Sequence, residues 1–260
     1  MRHRSEHAAG AFRRVECRAN LPGGDRTLAM RINKFISESG ICSRREADGW
    51  IEAGRVAING RPATLGSKVD PGDQVSVDGK SVGPRKPIVY IALHKPVGIT
   101  CTTEHEVADN IVDYIGHPER IFPIGRLDKD SEGLILLTND GDIVNTILRA
   151  EHAHEKEYVV TVDRPVTDGF LEEMQKGVEI LGIRTRPCRA SRVDQCGFRI
   201  VLTQGLNRQI RRMCEALGQR VKRLRRIRIM HIELDDLAVG EWRELTRDEV
   251  RELHVRCGRS

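Results

Sequence analysis

The stretch Gly125-Arg126-Leu127-Asp128-Lys129-Asp130-Ser131-Glu132-Gly133 sets five charged side chains between two glycines. Leu134-Ile135-Leu136-Leu137-Thr138 follows at once, a continuous apolar run that predicts a buried strand. A carboxylate at such a loop-to-strand junction stands on rigid support with its head in a cleft, the placement that acid, base or nucleophile chemistry needs. Gly125 and Gly133 allow tight turns or close approach of a substrate. Taken alone, Gly-Arg-Leu-Asp reads more plainly as a polar turn with Asp128 paired to a neighbouring arginine. Asp128 and Asp130 do not make the facing carboxylate pair of a glycosidase, because i, i+2 placement in a turn points them apart. The aromatic content of 4% is also low for a carbohydrate site.

Further along, Arg208 to Arg228 carries nine basic residues against one acid, Glu215. Such clustering is the electrostatic footprint of a phosphate-backbone partner, and the dominance of arginine favours RNA, whose phosphates and bases suit a planar fork. The plainer alternative is a solvated basic face. The net charge of +5 is modest for 260 residues, so the distribution carries the argument. The seven cysteines are odd in number and scattered, which fits reduced thiols in a cytoplasm. A zinc site on Cys188, Cys196 and the His152-x-His154 pair lacks the usual ligand spacing. No apolar run approaches the roughly 18 residues of a membrane span, and the charged N-terminus does not read as a secretory signal.

The elements that must position these residues fall into two units. Residues 1–29 lack periodicity and are expected to form a disordered or loosely docked basic arm. From Met30, Ile32, Phe35 and Ile36 recur at helical spacing up to Gly40. Ser43-Arg44-Arg45-Glu46 matches a capping box opening a second helix that ends at Gly54. Val56–Ile58 and Val75–Val77 read as strands, with tight turns at Asn59-Gly60, Asp70-Pro71-Gly72-Asp73 and Asp78-Gly79. The expected unit spans 30–80, with Arg31, Lys34, Arg44, Arg45, Arg55 and Arg61 as its RNA-contacting cations. Residues 81–87, with two prolines and a glycine, form a linker.

The second unit is expected over 88–255, with a tail at 256–260. Val89–Leu93, Leu134–Thr138, Glu157–Val162, Phe198–Leu202 and Ile229–Leu234 read as strands, and His94–Gly98 as a turn. Asp142–Leu148, Thr167–Lys176 and Asn207–Leu217 read as helices. Strands and helices intersperse without βαβ order, so the expected class is α+β, with a mixed, largely antiparallel sheet.

Two family resemblances enter on these residues. Ser-Arg-Arg-Glu-Ala, Glu-Ala-Gly-Arg-Val and Ile-Asn-Gly, within 30–80, resemble an S4 RNA-binding domain. The Asp128 loop resembles the catalytic loop of the RsuA/RluA superfamily of pseudouridine synthases. Lys156-Glu157-Tyr158 and Asn207-Arg208-Gln209-Ile210-Arg211-Arg212-Met213 resemble its second and third motifs, in the expected order. The wording around Gly205–Glu215 is most similar to the RluF branch, which acts on bacterial large-subunit rRNA.

The resemblance implies an isomerase that turns uridine into pseudouridine in 23S rRNA, or a ribosome-assembly precursor of it, with a tRNA stem-loop as a further target. The base leaves its stack to be reached. Asp128 is the implied catalytic carboxylate, as nucleophile at the sugar or base at the 2′ position, Tyr158 the ring facing the base, and Arg211 the cation beside Asp128. Arg126, Leu127, Lys156, Asn207, Arg208, Gln209, Ile210 and Arg212 are the implied substrate-contacting set, with Ile210 beneath the base. Asp130 is read as shaping the loop. No metal and no cofactor are expected, and the chain is expected to be a monomer. A non-catalytic RNA-binding or ribosome-assembly protein on the same fold would carry the same basic surface; the joint presence of Asp128, Tyr158 and Arg211 separates the two.

Overall fold

The computed structural model describes residues 29–148 and 153–259. The expected basic arm therefore lies outside the described residues, apart from Ala29. The N-terminal unit runs β1 (Met30–Arg31), α1 (Ile32–Glu38), α2 (Arg44–Glu52), β2 (Val56–Ile58), β3 (Arg61–Pro62), β4 (Lys68–Val69), β5 (Val75–Val77) and β6 (Lys80–Ser81). Ile32, Ile36, Ala47, Ile51, Val56 and Val75 meet in its core, which leaves the two helices packed on a four-stranded sheet ordered β3-β2-β5-β6. The capping box forms as expected: Ser43 Oγ accepts from Glu46 N at 3.1 Å, and the Glu46 carboxylate accepts from Ser43 N at 2.7 Å. Asn59 and Gly60 both take positive φ (51° and 78°), the geometry that matches a two-residue turn to strand twist.

The second unit follows as β7 (Tyr90–Lys95), α3 (Ile111–Ile115), β8 (Phe122–Pro123), β9 (Glu132–Thr138), α4 (Gly141–Leu148) and β10 (Lys156–Val162). It continues through α5 (Asp168–Lys176), β11 (Glu179–Ile180), β12 (Ile183–Arg184), β13 (Arg189–Arg192), β14 (Gly197–Leu202) and α6 (Gln209–Ala216). It closes with β15 (Val221–Ile229), β16 (Ile232–Glu233), β17 (Trp242–Glu244) and α7 (Arg247–Arg256). The main sheet is ordered β13-β14-β10-β15-β9-β7-β17, with β8 on β9 and β16 on β15. Its described pairings are antiparallel except β15 on β9, so the expected mixed, largely antiparallel α+β sheet is present. Strands β7 and β9 bury both faces: Ile91, Leu93, Ile135 and Leu137 join one core, and Ala92, Leu134 and Leu136 the other. That double burial is why Leu134–Leu137 is apolar without alternation.

Four local expectations are corrected. His94 and Lys95 continue β7, and the chain turns afterwards, with Gly98 at φ 97°. Helix α6 opens at Gln209, not Asn207, because Arg208 takes a left-handed φ of 50° and stops the helix from extending backwards. Ile229–Leu234 is not one strand: Met230 at φ 56° turns the chain between β15 and β16. The strand that does form, β15, lies in the arginine run read as surface. It is central in the sheet because acids on its neighbours neutralise its cations: Arg223 meets Glu132 of β9 at 2.6 Å, and Arg228 meets Glu157 of β10 at 2.7 Å. Much of the basic run is thus engaged within the protein; Arg208, Arg220, Lys222 and Arg223 are exposed, and of these Arg208 and Arg223 carry acid partners.

The linker is strapped down. Lys86 N donates to Glu38 O (3.1 Å), Arg85 pairs with Glu38 (3.5 Å), and Lys86 with Glu119 (3.6 Å). Asp142, near the start of α4, receives Lys34 of α1 at 2.5 Å and Arg44 of α2 at 3.4 Å.

Candidate active site

Three backbone contacts hold the Asp128 loop. Gly98 N donates to Lys129 O (2.8 Å), Ser131 N donates to Asp128 O (3.0 Å), and Leu127 N donates to Cys101 Sγ (3.4 Å). Beneath it Lys95 is wholly buried, and its ammonium donates to Pro96 O (2.8 Å) and Ile99 O (2.9 Å), fixing the 96–99 turn. Burial pulls this ammonium below the usual lysine range, with Cys101, Asp128 and Asp130 opposing. At the other end Gly133 is required. A Cβ there would lie 2.2 Å from the Arg226 carbonyl oxygen, because β9 and β15 approach so closely.

Helix α6 brings the cations. Arg208 Nη1 lies 3.6 Å from Asp128 Oδ2, and Arg211 Nε lies 4.0 Å from the same oxygen. Arg211 is anchored from behind: its Nη2 donates to Asp130 O (2.9 Å) and Ser131 Oγ (3.1 Å), while its buried Nε has no hydrogen-bond partner. Arg208 forks onto Asp130, with both contacts at 3.2 Å. Burial would raise the Asp130 carboxyl, but the Arg208 hydrogen bond and the charges of Arg211 and Arg208 hold it below the usual carboxylate range. Asp130 thus locks α6 to the loop. Asp128, whose side chain is 30% exposed, touches the cations only at ion-pair distance, which leaves its oxygens free to meet a substrate.

In front of Asp128 opens a cavity of about 440 Å³. That lies within the range of roughly 300–1,000 Å³ common for small-ligand sites. Arg126, Leu127, Lys156, Tyr158, Asn207, Arg208, Gln209 and Ile210 line it, so most of the expected set converges. Tyr158 stands on β10, packed between two cores. Ile210 is buried against the cavity. Gln209 and Asn207 shape the turn into α6: Gln209 Oε1 accepts from Leu206 N (3.0 Å), and Asn207 accepts from Arg212. Arg212 and Arg211 are not among the lining residues. Burial, with the charge of Arg226 adding to it, lowers the Lys156 ammonium to about 8. Arg226 itself also lines the cavity and had no place in the sequence-derived set; inside a run of nine basic residues no local pattern marks the one that turns inward.

Of the S4 cations, Arg31, Arg45 and Arg61 are exposed. Lys34 and Arg44 are engaged with Asp142. Arg55 pairs with Asp78 at 2.5 Å and stacks 5.2 Å from the Trp50 ring. Among the described residues no cluster of three metal-ligating side chains occurs, and no helix is long and apolar enough to cross a membrane.

The chain is similar to known proteins in sequence and in fold. A family model described as RNA pseudouridylate synthase matches residues 89–216, and one described as S4 domain matches 30–75. The dual-specificity RNA pseudouridine synthase RluF of Escherichia coli K12 is 58% identical over 227 residues, covering 86% of this chain and 78% of that protein. Ribosomal large subunit pseudouridine synthase B of Bacillus subtilis is 36% identical over 234 residues, covering 86% and 96%. A crystal structure of a pseudouridylate synthase superposes with a TM-score of 0.63 at 30% identity, covering 86% of this chain and 99% of that one. An S4 unit, a sheet that presents an aspartate loop to two arginines, and this degree of identity agree: the chain belongs to the S4-domain-bearing RNA pseudouridine synthases, and is an isomerase acting on RNA.

Proposed function

We propose that Asp128, Tyr158 and Arg211 carry the isomerisation, and that the target is a uridine of large-subunit rRNA with a tRNA stem-loop of similar shape as a second substrate. The observation that supports this most is the cavity that joins Asp128 and Tyr158 in front of α6. The relatives' names support the RNA class: one is called dual-specificity, the other a ribosomal large subunit enzyme. In the reaction the C1′–N1 bond breaks, the base turns, and a C1′–C5 bond forms. C5 loses a proton and N1 gains one, so no group is added or lost. Asp128 acts on the sugar, as nucleophile at C1′ or base at the 2′ position. Tyr158 stacks on the uracil and stands near its C5 proton. Arg211 provides the counter-charge. The enzyme works as a monomer in the cytoplasm on this reading; the six described cysteines are free thiols, as a reducing compartment keeps them.

The test maps pseudouridine in ribosomal and transfer RNA from cells with and without the gene, complemented by wild type or Asp128→Asn. Sites lost on deletion and restored only by wild type name the targets. Unchanged maps refute the proposed targets.

Lys156 adds a pH dependence. Its ammonium is charged below about 8 and neutral above, and kcat/KM reports the free enzyme. On RNA, kcat/KM should therefore fall as pH rises through about 8, and Lys156→Arg should remove that fall by staying charged. A fall that persists in the arginine variant would assign it to another group.

A further inference from the structure

Arg226 lines the cavity from β15. It is 3% exposed, and its Nε donates to Leu134 O at 2.6 Å. Its Nη2 is buried without a hydrogen-bond partner among the described residues. Among the described residues no carboxylate lies within ion-pair distance of it, whereas Arg223 and Arg228 on the same strand each have one. A buried guanidinium left unpaired is costly, and it persists where something else repays the burial. Here the neighbouring cation makes matters worse: Lys156 lines the same cavity and is depressed by burial and by Arg226. The Arg226 guanidinium sits 6.0 Å from the Tyr158 ring centroid, on the wall where a base would stack. This wall holds unbalanced positive charge, while the acids Asp128 and Asp130 are already matched by Arg208 and Arg211.

The reaction makes one anion that such a wall fits. When C1′–N1 breaks, the electron pair stays on the base, and the detached uracil spreads a negative charge over N1, O2 and O4. We propose that Arg226 is a catalytic residue whose free N–H groups donate to the uracil carbonyl oxygens as the glycosidic bond breaks, holding the base as an anion until C5 attacks C1′. Lys156 adds to the same field. Preorganised donors aimed at developing charge are typically the largest single contribution to such catalysis. The inference rests on the isomerase reading of the cavity, but not on whether Asp128 attacks C1′ or acts at the 2′ position, since both routes free the base.

The test compares single-turnover breakage of the C1′–N1 bond in RNA carrying uridine at the target with that in the same RNA carrying 5-fluorouridine there. Fluorine stabilises the base anion through its own bonds and lessens the need for Arg226. Arg226→Gln should slow the uridine substrate by roughly 100-fold. It should slow the fluorinated one by at most about tenfold, with RNA affinity within about twofold of wild type. Arg226→Lys should recover most of the rate, and guards against a glutamine variant that fails to fold. A measurement on the wild type alone completes it: barbiturate, a uracil-shaped anion at neutral pH, should inhibit at least tenfold better than neutral uracil. Equal losses on both RNAs, a loss confined to RNA affinity, as a phosphate contact would give, or no preference for barbiturate would each overturn the proposal. Absence of any wild-type turnover would instead bring down the isomerase reading beneath it.

Discussion

Asp128→Asn lowers pseudouridine formation by roughly 10³–10⁴-fold and leaves RNA affinity within about threefold. The substitution keeps the shape of the side chain and removes its charge. Arg211 and Arg208 stay in place because their anchors are Asp130 and Ser131, not Asp128. The loop stays in place as well, through Gly98 N on Lys129 O and Ser131 N on the backbone carbonyl of residue 128. The expected loss is therefore in the chemical step alone, with melting temperature close to wild type. Product release of pseudouridine from digested RNA, measured beside filter binding, separates the two quantities. A variant that keeps a tenth of the activity would remove Asp128 from the mechanism.

Gly133→Ala has the second large effect, through packing. Gly133 takes φ 111°, where side chains rarely go, and its new methyl would meet the Arg226 backbone at 2.2 Å (O) and 2.5 Å (N). Neither neighbour is the flexible tip of a side chain, so strands β9 and β15 must part. Strain of this kind with a backbone collision costs at least about 3 kcal/mol. For a chain of this size that is roughly 6–12 °C of melting temperature. Activity falls too, since the Arg226–Gly133 pairing sets the cavity wall against the loop that carries Asp128. A melting temperature within 2 °C of wild type would show that the strands can part cheaply.

The parts of this fold that were readable in sequence are those decided locally. Ser43 and Glu46 cap a helix across three residues, Asn59-Gly60 turns a hairpin, and Leu134–Leu137 declares a strand buried on both faces. The Asp128 loop was readable because its polar residues abut that strand. Strand β15 was not, because its arginines look solvated until the acids of β9 and β10 are brought beside them. The start of α6 at Gln209 depends on one left-handed residue, Arg208, whose type gives no hint of it. Arg226 could be distinguished from Arg225 only once the facing cavity existed.

The ties at Asp142 have a mechanical consequence. Lys34 and Arg44 reach it from the N-terminal unit, and Arg259 approaches it from the C-terminus at 3.8 Å while holding the buried Asp140 at 2.7 Å. Partly exposed ion pairs of this sort contribute at most about 1 kcal/mol each and weaken with salt. The joint between the two units therefore leans on charge where the bodies lean on apolar cores, so added salt should loosen the joint before it touches either core.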